Sequence, residues 1–160
     1  EGVFSDWGTD LYVGNNTIVN RRPNGGTFVL VGASITTKAQ LTNNIFFGKG
    51  NVTTQTDAVQ TTNYTEADPK FADAAKLDLH LLEGSPCVDK GTTPPAMPEF
   101  HYVHPTSKTG RKVAGAAIDI GAYELNGDDA SAGGSDAGTS GGASSSGRDT
   151  VGGGGVAGIL

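Results

Sequence analysis

The 160-residue chain has a single cysteine, Cys87. An intrachain disulfide is therefore excluded, and so is a zinc site built from four cysteines. Positive charge is scarce as well: 11 Lys and Arg stand against 17 Asp and Glu, for a formal net charge of −6. Neither the part before Leu125 nor the part after it carries a basic stripe. A nucleic-acid groove needs one to neutralise phosphates, so nucleic acid is not an expected partner. No apolar run approaches the length of a transmembrane helix. The opening "EGVFSDWGTD" lacks the basic and apolar regions of a signal peptide. It starts in mid-pattern without Met, so we expect the C-terminal part of a longer protein.

What is present from Glu1 to Glu66 is strand-like. Asn, Thr, Gly and β-branched residues dominate, and good helix formers are thin. Short apolar runs recur as "DLYVG" (10–14), "TIVN" (17–20), "TFVLVG" (27–32), "NNIFFG" (43–48) and "DAVQTT" (57–62). Turn residues bound them, as in "RRPNGG" (21–26) and "GKGN" (48–51), and such runs read as strands. "NNTIVN" (15–20) matches "NNIFFG" (43–48) in pattern at a spacing of 28 residues. A repeat at that separation suggests a solenoid. Asn suits a left-handed corner, the pair Asn15–Asn16 above Asn43–Asn44 suits a side-chain ladder, and Ile18 and Phe46 suit stacked neighbours. The alternative for short strands of this kind is an antiparallel β-sandwich.

From Asp68 the pattern changes. "ADPKFAD" (67–73) reads as a turn with Phe71 as its anchor. "LDLHLLEGSP" alternates Leu77, Leu79 and Leu81 against Asp78, His80 and Leu82, the pattern of a half-buried strand. "GSPCVDKG" (84–91) reads as a corner, and residues 92–112 as an irregular loop with four prolines. "AAIDIGAYEL" (116–125) alternates again and predicts a second strand. The tail from Asn126 is Gly, Ser, Ala, Asp and Thr almost throughout, so it is expected to be a disordered spacer.

The run "DPKFADAAKLDLHLLEGSPCVDKGT", then "KTGRKVAG", then "AIDIGAYE" resembles the closing segment of bacterial secreted right-handed parallel β-helix proteins. These are the pectate-lyase-like proteins with a choice-of-anchor C-terminus. Its carriers here are Asp68, Pro69, Phe71, Gly84, Ser85, Pro86, Cys87, Asp89, Gly91, Asp119, Ile120, Gly121, Tyr123 and Glu124. The resemblance implies an all-β fold: the last coils of a right-handed parallel β-helix over residues 1–66, a cap over 67–125, and a disordered Gly/Ser-rich stalk over 126–160. It also implies a secreted or bacterial cell-surface location. It names no reaction.

The candidate chemistry is sparse. A nucleophilic Cys87 would need a base or positive charge beside it. Its neighbours are Pro86, Val88 and Asp89, so a small buried side chain is the expected role. Asp68, Asp73, Asp78, Asp89, Asp119 and Glu124 are oxygen donors suited to Ca²⁺, yet they lack compact ligand spacing and suit turn capping better. "HYVH" (101–104) with His80 is a poor zinc set, because prolines flank it in a loop. No carboxylate pair stands out for glycoside hydrolysis. Trp7, Tyr12, Phe46, Phe47, Tyr64 and Tyr123 offer rings for stacking on sugars, or for an interior stack. We therefore expect a monomeric structural or polysaccharide-binding surface module without a required cofactor. The alternative is a fragment of a polysaccharide lyase or glycoside hydrolase whose groove lies partly in N-terminal coils beyond this chain.

Overall fold

Short strands alternate with corners because the apolar runs are themselves short. The computed structural model describes residues 3–5, 8–103 and 106–127. Among these described residues twelve strands run in chain order as β1 (Val3–Ser5), β2 (Tyr12–Gly14), β3 (Thr17–Asn20), β4 (Thr27–Val31), β5 (Gln40–Thr42), β6 (Ile45–Gly48), β7 (Asn51–Thr53), β8 (Val59–Thr61), β9 (Phe71–Asp73), β10 (Asp78–Leu81), β11 (Phe100–Val103) and β12 (Ser107–Gly110). A 3₁₀ turn, Ala74–Lys76, joins β9 to β10. Among the described residues no helix is long and apolar enough to cross a membrane.

The strands form five small sheets. Three are parallel, in the orders β1-β4-β7, β2-β5-β8 and β3-β6. Ile18 is the register partner of Phe46, as the matched Asn-Asn patterns predict. The other two are antiparallel pairs, β9 with β10 and β11 with β12. The expected right-handed parallel β-helix is therefore corrected. No described sheet exceeds three strands, and two of the five are antiparallel. The physical reason lies in the repeat, which is not sustained. Thr17 pairs with Ile45 inside a four-residue ladder, but the shorter step from Ile45 to Tyr64 yields one isolated bridge. A solenoid needs each unit to bury the face of the last, and β8 is exposed along its whole length.

Strand β6 divides the core in two because its side chains alternate. Phe46 joins Val13, Phe28, Val29 and Leu41 in one cluster. Ile45 joins Phe71, Leu81, Cys87 and Ile120 in the other, with Phe47 packed against it. Phe28 and Phe46 lie 5.3 Å apart, and Phe47 meets Phe71 edge-on at 5.5 Å. The second cluster is how the segment after Ala67 attaches to the parallel stack.

Three further expectations change. Leu77 lies outside β10 and is exposed, so only Leu79 and Leu81 of the Leu alternation turn inward. Residues 116–125 form no strand, although Ile118, Asp119, Ile120 and Gly121 are all buried. Their backbone bonds go to separate segments: Gly91 N to Ile118 O, Ile120 N to Cys87 O, and Gly121 N to Asn43 O. A strand would send them to one neighbour. The loop over 92–112 contains the β11–β12 hairpin, which the prolines obscured. The expected tail lies outside the described residues beyond Gly127.

Candidate functional site

The candidate residues fall into three groups. The first is the Asn corner. Asn15 (φ 53°) and Asn43 (φ 55°) adopt the left-handed conformation, and Thr62 (φ 48°) repeats it one level on. Asn44 Oδ1 accepts from Asn16 N at 3.0 Å and from Asn16 Nδ2 at 3.2 Å. Asn63 Oδ1 accepts from Asn44 N at 2.9 Å and Asn44 Nδ2 at 3.0 Å. The Asn ladder thus has three members. Sequence reasoning missed Asn63, although "TNYT" places an Asn before a large strand-forming residue, Tyr64, as "NNIF" places one before Ile45. Asn43 turns the other way, donating to Thr92 O at 2.6 Å and accepting from Thr92 N at 2.9 Å.

The second group is the closing motif. Asp68 caps the backbone N–H of Lys70, and Ser85 Oγ donates to Pro69 O while accepting from Cys87 N. Pro69 and Phe71 are buried, Pro86 is exposed, and Gly84 takes φ 74°. Asp89 Oδ1 accepts from Ala116 N at 2.7 Å and Ala117 N at 3.0 Å. Asp119 is 0% exposed and accepts from Asp89 N and Leu125 N, each at 2.7 Å. Glu124 accepts from Asp119 N and pairs with Arg111 at 2.5 Å. The Arg111 guanidinium also donates to the carbonyls of Gly121, Ala122 and Asp119. Gly121 sits at φ 103°, which strains any residue carrying a Cβ, and a Cβ there would also stand 2.6 Å from Ile45 Cδ1. Gly91 is equally tight: a Cβ would stand 2.5 Å from Ile118 O.

These groups are fixed rather than poised. Burial pushes the Asp119 and Glu124 carboxyls above their usual range, while N–H bonds to Asp119 and the Arg111 pair to Glu124 pull them back. Both Asp119 oxygens hold backbone amides, and the Arg111 and Glu124 side chains are 1% and 0% exposed. Substrate has no route to them. Cys87 is 0% exposed, and burial raises its thiol to about 11, with the Asp119 charge adding and the Ser85 hydroxyl opposing. At neutral pH it is a protonated thiol inside the second core cluster.

The acids considered for calcium are engaged in backbone caps and ion pairs. Asp73 Oδ1 caps Lys76 N, and Asp78 Oδ1 accepts from His80 N, each at 3.2 Å. Among the described residues no three His, Cys, Asp or Glu side chains converge as a metal site. His104 and Trp7 lie outside the described residues.

The third group comes together only in the fold. His80 on β10 and His101 on β11 flank Tyr123, with ring centroids 4.1 and 5.5 Å from it. His80 Nδ1 lies 2.6 Å from Asp78 Oδ1, and that bond holds the Asp78 carboxyl below its usual range. Lys76, Leu77, Asp78, His80 and Tyr123 line a cavity of about 300 Å³. The "LDLHLL" alternation put Asp78 and His80 on one face, but nothing local placed Tyr123 beside them. A second, wider groove of about 750 Å³ runs along β7, lined by Thr27, Asn51, Thr53, Gln55, Gln60 and Thr65 among others. Compared with known proteins, the chain matches no family model, no curated protein and no solved structure.

Proposed function

We propose that this chain is a structural and polysaccharide-binding module of a secreted or bacterial cell-surface protein. The observation that carries the reading is the groove along β7. Its walls are Thr, Asn, Gln and Gly with one Val, and none of its lining residues is charged. Hydroxyl and carboxamide groups both donate and accept hydrogen bonds, which is the chemistry that a chain of sugar hydroxyls meets. A groove open to solvent also admits a segment of a longer chain, whereas a small-molecule site is usually concave and largely apolar. The localisation and the choice-of-anchor resemblance rest on the sequence motifs quoted above.

Affinity electrophoresis of the full chain through gels containing neutral and acidic polysaccharides tests the proposal. Retardation by at least one polysaccharide is expected, weakened by Gln60→Ala and Thr53→Ala together and without release of reducing ends or unsaturated products. Unchanged mobility in every gel, or product release, would overturn it.

A further inference from the structure

The pocket between β10 and the closing segment has features that the fold does not require. Leu77 is 61% exposed and sits at φ 67°, a left-handed conformation that costs a non-glycine residue strain. It closes the 3₁₀ turn, where its N–H bonds Ala74 O at 3.3 Å. A glycine would do that with less strain. The Leu side chain instead lines the pocket with the rings of His80 and Tyr123. Asp78 lies in the same wall. Its Oδ1 is held by His80, while Oδ2 has no hydrogen bond among the described residues. Lys76, which also lines the pocket, pairs through Nζ with Asp73 Oδ2 at 2.9 Å.

We propose that this pocket is a subsite for a single neutral pyranose, with Leu77 and the His80–Tyr123 rings receiving its C–H face and Asp78 Oδ2 accepting from its hydroxyls. The inference rests on the polysaccharide-binding reading and adds a site and a ligand class to it. A cavity of about 300 Å³ holds one sugar ring rather than a chain. An apolar wall beside one ionised carboxylate matches the two faces of a pyranose. The same carboxylate disfavours a uronate, because the lysine in the wall, Lys76, is already paired with Asp73.

Saturation-transfer NMR of the full chain with methyl glucoside, methyl mannoside, methyl galactoside and methyl glucuronide tests this. Transfer to at least one neutral glycoside is expected, with the glucuronide weaker. Asp78→Asn should weaken binding about tenfold, the worth of one charge-assisted hydrogen bond. Leu77→Gly should weaken it as well while raising or preserving thermal stability, since it relieves the left-handed strain. A Leu77 that served the fold would instead lower stability when removed. Tight glucuronide binding, or neutral-sugar binding unchanged in both variants, overturns the proposal. If polysaccharide gels retard the chain but no methyl glycoside binds, this subsite is refuted and the groove reading stands. If neither binds, both fall.

Discussion

The parallel stack before Ala67 and the closing segment after it solve the same problem in different ways. Both must satisfy buried backbone groups. In the stack the buried polar side chains are Asn15, Thr42, Asn43 and Asn44, all neutral. In the closing segment they are Ser85, His101, Asp119 and Glu124. Where strands lie level above level, one Asn can bond the next and the amide repeats with the backbone. Where the chain turns irregularly, no neighbour is repeated. Each N–H or carbonyl then needs its own partner, and a charged group with several acceptors or donors serves many at once. Arg111 alone satisfies three carbonyls and Glu124. Buried acids near a cysteine are thus a consequence of lost periodicity rather than a sign of catalysis.

The contrast breaks most severely at Arg111. Arg111→Ala leaves Glu124 charged and buried with no counterion, and removal of one partner of such a pair costs about 3–5 kcal/mol. Chemical denaturation should show that loss. In the stack, Asn44→Ala removes partners from Asn16 N and Val13 O, while Asn63 Oδ1 keeps the backbone N–H of residue 44. It should cost about 2 kcal/mol, at roughly 1 kcal/mol for each group.

Cys87 sharpens the comparison through pH. An unfolded thiol ionises near 9.0, and the folded one near about 11. The folded state binds more protons between these values. Its contribution is therefore complete below pH 9 and is lost as pH rises through 11, by roughly 2–3 kcal/mol. Unfolding free energies of the wild type should fall more steeply over this window than those of Cys87→Ala. Parallel slopes would place the thiol in contact with water.

The stack was the more legible region for the same reason that it is neutral. Repetition writes itself into sequence: the matched Asn pairs forecast the left-handed corners and the Ile18–Phe46 register. It did not forecast where repetition stops, because Thr62 replaces Asn at the third corner and the spacing shortens. That is why the solenoid reading failed. In the closing segment, alternation misled. Ile118 and Ile120 are both buried, as a strand would have them, but Asp119 between them is buried too and takes the amides that a neighbouring strand would have taken. Arg111, within a run that read as loop, carried no local signal of its burial. The His80–Tyr123 pocket was invisible for a simpler reason: its walls come from residues 76–80 and from Tyr123, which lie far apart along the chain.

Hydrogen–deuterium exchange on the Arg111→Ala protein tests the division most directly. If the charged clamp holds the closing segment as a unit against a stack that keeps its own strand and Asn-ladder bonds without it, the amides of Gly91, Ile120 and Gly121 will lose protection. Those of Leu41 to Phe46 will keep most of theirs. Equal loss in both regions, or no loss at Ile120 and Gly121, would contradict the account.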